Sequence, residues 1–279
     1  MFPHSGREYG MSVWSFCKDT WLNPHSPACC WRHPGPAIRL LAGALQNVWL
    51  ACSERWPGGH RRRCPVCDWQ GRHFRTFLSA DEVIPACICP LCGSFDRHRH
   101  LVLGIRQELA RHPQAPPRLL LGFSLSAAMH LVLRREGLPR CFRCDVAVDD
   151  DRFAPDFITD LREVAAADSV ADWIFCSHVL EHIDDLAACL DEIFRLLRSG
   201  GLAWIQVPLE PELAHSRRIE VDPCRSHAHA WQFGADITQL LQRPPWTVTE
   251  VVAGHTLQAA ELGRLGIAPD ERFWIARKA

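Results

Sequence analysis

The stretch Ala171 to Pro208, ADWIFCSHVLEHIDDLAACLDEIFRLLRSGGLAWIQVP, decides the fold. Its first apolar run, Trp173 to Cys176, has the length and composition of a strand buried on both faces. Polar residues then crowd in at Ser177, His178, Glu181 and His182, where a parallel strand would release the chain. Asp184 is placed to cap the following helix, and Asp185 adds favourable charge to its first turn. Leu186, Cys189, Leu190, Ile193, Leu196 and Leu197 recur at the spacing of one helical face. Arg195 and Arg198 sit in the last turn, and Gly200-Gly201 ends it, because glycine tolerates the left-handed conformation there. Leu202 to Val207 is the next buried strand. The stretch therefore reads as a right-handed βαβ unit with a polar turn after its first strand.

Further strands lie on either side of this unit. A proline-rich linker, residues 111–117, leads into a first strand at Arg118–Gly122. The second strand is expected at Cys141–Val146 and the third at Phe157–Thr159. Asp236–Leu241 begins a helix, and Trp246–Val252 and Glu271–Lys278 supply the last two strands. Cys141 and Cys144 have CxxC spacing but fall inside a strand pattern without a second pair nearby, so they read as strand residues. Asp149 to Asp151 read as a solvated acidic loop. The turn after the first strand, Gly122-Phe-Ser124-Leu-Ser126, holds one glycine and no GxGxxG, which argues against a nicotinamide dehydrogenase. Asp145 lies about twenty positions beyond that turn, where a carboxylate can accept hydrogen bonds from ribose hydroxyls.

A second constellation precedes the sheet. Cys64-Pro-Val-Cys67 and Cys89-Pro-Leu-Cys92-Gly93 form two CxxC knuckles with the ligand number and spacing of a structural tetrathiolate zinc site. Four thiolates leave no open position, so a hydrolytic metal is not implied. Cys87 is a less usual substitute, through its CxC spacing to Cys89. Residues 61–100 hold seven Arg against four Asp or Glu, an excess that a Zn(Cys⁻)₄ centre would reduce by two. With few aromatics interleaved, there is no strong nucleic-acid signal. The module, residues 60–100, runs through Arg97, His98 and Arg99 into an apolar helix, Leu101–Leu109, and the linker, which together occupy residues 101–117.

The remainder is less patterned. Residues 1–36 mix Pro, His, Trp and Cys without period and read as a disordered leader. Residues 37–59 form an amphipathic helix whose stripe of Leu41, Leu45, Val48, Trp49 and Cys52 is expected to cover the cysteine module. A membrane-surface role is the alternative, given Arg61 to Arg63 beyond it. A chain of 279 residues with a net charge of −1 suits one α/β domain plus a small module and argues against a dominant electrostatic partner. Fourteen cysteines without an apolar leader segment lead to the expectation of a reduced, cytoplasmic setting. No apolar stretch is long enough for a transmembrane segment, and no pattern specifies an oligomeric state.

The run HVLEHIDD, the helix ending RLLRSGG, and IQVP together resemble class I S-adenosylmethionine-dependent methyltransferases of the type 11 kind. CPxCGSxxRHR ahead of such a domain resembles a bacterial subgroup with an N-terminal zinc-ribbon-like CxxC…CxxC segment. The resemblance covers roughly residues 60–279 and implies a doubly wound, seven-stranded Rossmann-like sheet over residues 118–279, preceded by the zinc ribbon. An antiparallel pair at the end of an otherwise parallel sheet is that family's topology. The cofactors implied are S-adenosylmethionine and a structural Zn²⁺ on Cys64, Cys67, Cys89 and Cys92. The turn holding Gly122 and Ser124 would take the cofactor's amino-acid end, although most of the family uses more glycines there. Asp145 would face the ribose, Asp160-Leu161 the adenine, and Ser177 would complete the contacts.

The reaction implied is methyl transfer to an unidentified O, N or C acceptor. His178 is the candidate base, because histidine exchanges protons near neutral pH, with His182 as its neighbour. The segment RR…D…SHAHAWQFGAD looks like an acceptor-side insertion, and Arg217, Asp222, His227, His229 and Trp231 are its candidate substrate residues. Cys224, His227 and His229 are an alternative metal set. Arg97, His98 and Arg99 would lie near the domain junction, facing the acceptor or simply starting a helix. The rival from another class is a methyltransferase-like scaffold that has lost catalysis and binds a partner through its zinc ribbon.

Overall fold

The computed structural model describes residues 34–53, 61–78, 83–138, 140–146, 155–220, 229–243 and 245–279. Residues 1–33 of the expected leader, Asp149 to Asp151, Asp222, Cys224 and His227 lie outside them. In chain order the elements begin with helix α1 (Pro34–Ser53) and short strands β1 (Arg62–Arg63) and β2 (Gln70–Gly71). Strands β3 (Arg75–Leu78) and β4 (Val83–Ile88), helix α2 (Asp96–Arg111) and strand β5 (Leu120–Phe123) follow. Next come α3 (Ala127–Arg135), β6 (Cys141–Asp145), β7 (Phe157–Ile158) and β8 (Ala171–Ser177). A 3₁₀ turn, Leu180–His182, precedes α4 (Leu186–Leu196) and β9 (Leu197–Gln206). The chain closes with β10 (Arg217–Arg218), β11 (Trp231–Gln232), α5 (Ile237–Leu241), β12 (Trp246–Val252), α6 (Ala253–Thr256), α7 (Ala259–Leu265) and β13 (Arg272–Lys278).

Seven strands form one sheet in the order β7-β6-β5-β8-β9-β13-β12. β5 pairs in parallel with both β6 and β8, and β13 alone is reversed, antiparallel to β9 and β12. The order therefore turns back on itself between β5 and β8, the switch point where doubly wound sheets open a crevice. Central strands carry apolar residues on both faces. Leu120, Trp173, Phe175, Leu202, Trp204 and Phe273 point one way and Leu121, Ile174, Cys176, Ala203, Ile205 and Trp274 the other. The second face is covered by α4, whose Leu186, Cys189, Leu190, Ile193 and Leu196 are all buried. Each such side chain contributes roughly 1.5–3 kcal/mol when fully removed from water. Lys278 Nζ donates to the carbonyls of Phe194 (2.8 Å) and Leu197 (2.6 Å), closing the helix end with a cation.

The cysteine knuckles belong to the same core. Cys64, Val66, Phe74 and Cys89 cluster with Leu101, Val102 and Ile105 of α2 and with Met129 and Leu133 of α3, all on the first face of the sheet. Arg99 locks the junction. It is fully buried, donates to the carbonyls of Cys87, Ser94, Leu265 and Gly266, and lies 3.9 Å over the Phe74 ring. Its role is thus structural, and it does not face an acceptor.

Two local expectations are corrected. The cap of α4 is Asp185, whose Oδ1 accepts from Ala188 N at 3.0 Å, while Asp184 pairs with Arg218 at 2.9 Å. The 3₁₀ turn consumes enough chain to start the helix later, at Leu186. Leu41, Leu45, Val48 and Trp49 of α1 do not cover the module but are exposed, at 63, 62, 56 and 58%. The helix is rotated by Asn47, whose amide accepts from Thr76 N (2.8 Å) and donates to Thr76 O (3.0 Å). These bonds satisfy both backbone groups of Thr76 in β3 and fix which face of α1 meets the strand. No described helix is long and apolar enough to cross a membrane.

Candidate functional site

The parallel strands β5, β6, β7 and β8 release their chains at one edge, and a cleft of about 630 Å³ opens there. Two residues at that edge, Ser124 after β5 (φ 53°) and His178 after β8 (φ 55°), adopt the left-handed backbone conformation. A non-glycine residue there costs about 1–2 kcal/mol, so the surroundings must hold it. Ser124 N donates to Cys144 O at 3.1 Å and His178 N to Gln206 O at 2.9 Å, each tying a turn to a neighbouring strand. The left-handed position of the first turn is therefore Ser124. Gly122 lies inside β5, where an added Cβ would meet Leu125 at 2.7 Å. That glycine lets Leu125 fold back on the strand, and only Phe123 and Ser124 of this turn line the cleft.

Asp145, Asp160 and Leu161 line the cleft with them. One oxygen of Asp145 accepts from Val146 N at 2.8 Å. Asp160 is gripped by Arg162 through two oxygens, at 3.1 and 2.6 Å, and that guanidinium holds its carboxyl below the usual range. Ser177 does not reach the cleft. Its hydroxyl donates to Gln206 Oε1 at 3.0 Å, and the Gln206 amide donates to Arg97 O at 3.1 Å. This chain of bonds brings the start of α2 against the back of the His178 turn. His98, near that turn, is held neutral by burial, reinforced by Arg97 and His178. Burial beside Asp96 pushes the Glu271 carboxyl up to about 8.

His178 and His182 both line the cleft. Burial pushes the His178 imidazole below its ordinary value, with the Glu181 carboxylate opposing the shift. Glu181 lies between the two histidines, its Oε1 3.2 Å from His178 Nδ1 and 4.0 Å from His182 Nε2. The Glu181 side chain is fully buried, yet neither carboxylate oxygen accepts a directed hydrogen bond among the described residues. Nothing in the sequence singled Glu181 out beyond the polar run. Its signal was a carboxylate at H-x-x-E-H spacing, and only the 3₁₀ geometry turns it inward.

The insertion after β9 is a small hairpin in which Arg217 pairs with Gln232 and Arg218 with Trp231. Asp236 anchors it, accepting from Ser216 N (2.7 Å) and Oγ (2.6 Å). Ala230 lines the cleft, and the His229 ring meets that of His182 edge-on at 4.8 Å between centroids. Trp231 points elsewhere, its indole N–H donating to Asp184 O at 3.2 Å and its ring stacked on Phe233. Arg217 is exposed and donates to Gln232.

The four cysteines of the knuckles converge, with Sγ separations of 3.8 Å for Cys64–Cys92 and 3.6 Å for Cys67–Cys89. Zn–S bonds of about 2.3 Å arranged tetrahedrally need sulfur separations of about 3.8 Å, so the donor set fits Zn²⁺. The two knuckles share one geometry. Cys64 N donates to Trp69 O and Cys89 N to Ser94 O, and the residues after the second cysteines, Asp68 and Gly93, are left-handed. The buried Ser94 hydroxyl lies 3.2 Å from Cys64 Sγ and 3.1 Å from Cys92 Sγ. Cys87 stands apart, its thiol on Ile84 O.

A family profile described as "Methyltransferase domain" matches residues 107–251. Among solved structures, a SAM-dependent methyltransferase from Archaeoglobus fulgidus is 15% identical, with a TM-score of 0.42 over 65% of this chain and 94% of that one. The PH0226 protein from Pyrococcus horikoshii is 14% identical, with a TM-score of 0.44 over 65% and 91%. The 1,6-didemethyltoxoflavin-N1-methyltransferase of Burkholderia thailandensis is 14% identical, with a TM-score of 0.41 over 62% and 76%. No curated protein matches significantly. The profile spans just over half of the 279 residues and takes in β5 to β9, whose turns build the cleft, and the chain belongs to the methyltransferase domain family.

Proposed function

We propose that the chain transfers a methyl group from S-adenosylmethionine to an O, N or C nucleophile bound in the cleft at the β5–β8 switch point. The observation that carries this reading is the convergence of Ser124, Asp145, Asp160 and His178, from four successive parallel strands, on one cleft of about 630 Å³. When bound, the cofactor supplies a methyl group already activated as a sulfonium. Asp145 would hold the ribose hydroxyls, Asp160 and Leu161 the adenine, and the Ser124 turn the amino-acid end. Ser177, committed to Gln206, is left out of this set. His178 is kept neutral by burial and so is ready to take a proton from the acceptor. His182 and His229 mark the acceptor side of the cleft.

Zn²⁺ on Cys64, Cys67, Cys89 and Cys92 would hold the N-terminal module in the core it shares with α2. The scaffold alternative rests on the glycine-poor first turn; against it, Ser124 itself adopts the left-handed conformation that a glycine would otherwise supply there. Calorimetry with S-adenosylmethionine on wild type and Asp145→Ala tests the assignment. Loss of a charged acceptor for hydroxyls costs roughly 1.5–3 kcal/mol per bond, so an affinity at least about tenfold weaker is expected. Equal affinity would reject Asp145 as the ribose ligand, and no binding by wild type would reject the reaction.

A further inference from the structure

We infer that Glu181, His182 and His229 bind a divalent transition-metal cation at the acceptor end of the cleft, a site separate from the four cysteines. One ligand atom from each of the three lies within 4.8 Å of the others. A cation about 2.0–2.2 Å from N and O donors needs separations of up to about 4.4 Å, so small side-chain rotations close the set. The independent observation is Glu181, fully buried, with neither carboxylate oxygen accepting a hydrogen bond among the described residues and Oε1 facing only the His178 imidazole Nδ1 at 3.2 Å and His182 Nε2 at 4.0 Å. A buried carboxylate in that state is costly unless a cation or donors compensate it. The backbone also pre-forms the site. Glu181 and His182 are consecutive in the 3₁₀ turn, and Ala230 N donates to Glu181 O at 2.7 Å, delivering the adjacent His229 from the insertion.

Two imidazoles and one carboxylate suit first-row cations such as Mn²⁺, Fe²⁺ or Zn²⁺ better than Mg²⁺ or Ca²⁺, which prefer all-oxygen shells. Three protein donors leave open positions, and His182, with 39% of its side chain exposed, lines the cleft, so those positions face the acceptor. A hydroxyl oxygen bound there would be oriented and made more acidic, which selects an oxygen nucleophile from the acceptor classes above. This last step rests on the methyl-transfer reading, whereas the cation site does not.

Mn²⁺ is the probe, because a hard cation competes poorly for the thiolates. The full chain holding one zinc per chain, the equivalent the four cysteines take, is titrated with Mn²⁺ while the free-ion electron paramagnetic resonance signal is followed. One saturable Mn²⁺ per chain is expected, with affinity at least about tenfold weaker in His229→Ala and in Glu181→Gln. His229 is only half-buried, so its variant remains informative if Glu181→Gln does not fold. No saturable binding by wild type, or unchanged affinity in folded His229→Ala, overturns the site. Calorimetry with S-adenosylmethionine on the same wild-type sample separates the two readings. Cofactor binding without Mn²⁺ binding sinks only the metal, and Mn²⁺ binding without cofactor binding supports the metal while sinking methyl transfer.

Discussion

The backbone N–H of Ala230 donates to the carbonyl of Glu181 at 2.7 Å, joining the insertion after β9 to the turn after β8. Both residues are buried, so neither group has water as a substitute partner. The bond decides whether the insertion is part of the cleft, because it sets His229 beside His182.

Removing that donor is therefore expected to be costly. In Ala230→Pro the Glu181 carbonyl is left buried without its partner, a loss of about 1–3 kcal/mol. Urea denaturation should show a lower midpoint with an unchanged slope. An unchanged midpoint would mean the insertion is held by the Asp236 anchor alone.

The four cysteines predict a larger loss. Structural zinc contributes apparent energies of about 10–16 kcal/mol in small zinc peptides. Here Cys64 and Cys89 also pack against Leu101 and Val102, so failure of the site exposes one face of α2 as well. Cys89→Ser should lose its zinc by elemental analysis and melt well below wild type. Full metal content in the variant, or none in wild type, rules the site out.

Arg99 gives a test of the junction between module and sheet. Its guanidinium reaches four carbonyls from three segments, a pattern the planar fork allows and an ammonium cannot reproduce. Arg99→Lys keeps the charge but strands at least one buried carbonyl, and should lose about 2 kcal/mol or more in chemical denaturation. Wild-type stability would show that charge alone suffices at this position.

The sheet was legible because its signals are local. Buried runs such as Trp173–Cys176, and the face of α4 from Leu186 to Leu196, follow from spacing alone. Boundaries slipped where a turn consumed extra chain, as the 3₁₀ turn did in moving the cap from Asp184 to Asp185. The outward stripe of α1 was not legible, because two hydrogen bonds between the Asn47 amide and the backbone of Thr76, twenty-nine residues away, set the rotation of that helix. Glu181 and Arg99 escaped for the same reason. A charged residue is expected to be exposed, and only long-range partners turn it inward. Ser124 was visible as a turn residue, but its left-handed backbone depends on Cys144 in the next strand.

Buried His100 predicts a pH dependence of stability. It is 2% exposed, its Nδ1 has no hydrogen-bond partner among the described residues, and burial alone pushes its pKa down to about 4. Between its unfolded value near 6.5 and about 4, the unfolded chain holds the proton and the folded chain does not. Stability is thus fully present above pH 6.5, falls as pH drops towards 4, and loses roughly 3 kcal/mol from this group. His100→Phe, beside Phe273, removes that share of the slope. Denaturation curves of the two proteins between pH 7 and 4 compare directly, because the cysteine site contributes equally to both. Parallel curves would mean that His100 titrates in the fold as it does in the unfolded chain.

The last prediction concerns His178 as the base. Its left-handed backbone, held by Gln206, aims the ring into the cleft, and burial keeps the imidazole neutral. A neutral base works above its pKa, and this one is lowered, so activity should persist through pH 6.5 and fall only further into acid. His178→Ala should reduce S-adenosylhomocysteine production from hydroxyl or amine acceptors by about 10²–10⁴, with calorimetric cofactor affinity little changed. If the ring instead supports the turn, the same substitution lowers thermal stability and cofactor affinity together. Replacement by alanine also leaves a residue less suited to φ 55° than glycine, so His178→Gly separates the causes. A glycine variant with normal stability and restored turnover would remove His178 from the chemistry. One that folds and binds cofactor but stays inactive keeps it there.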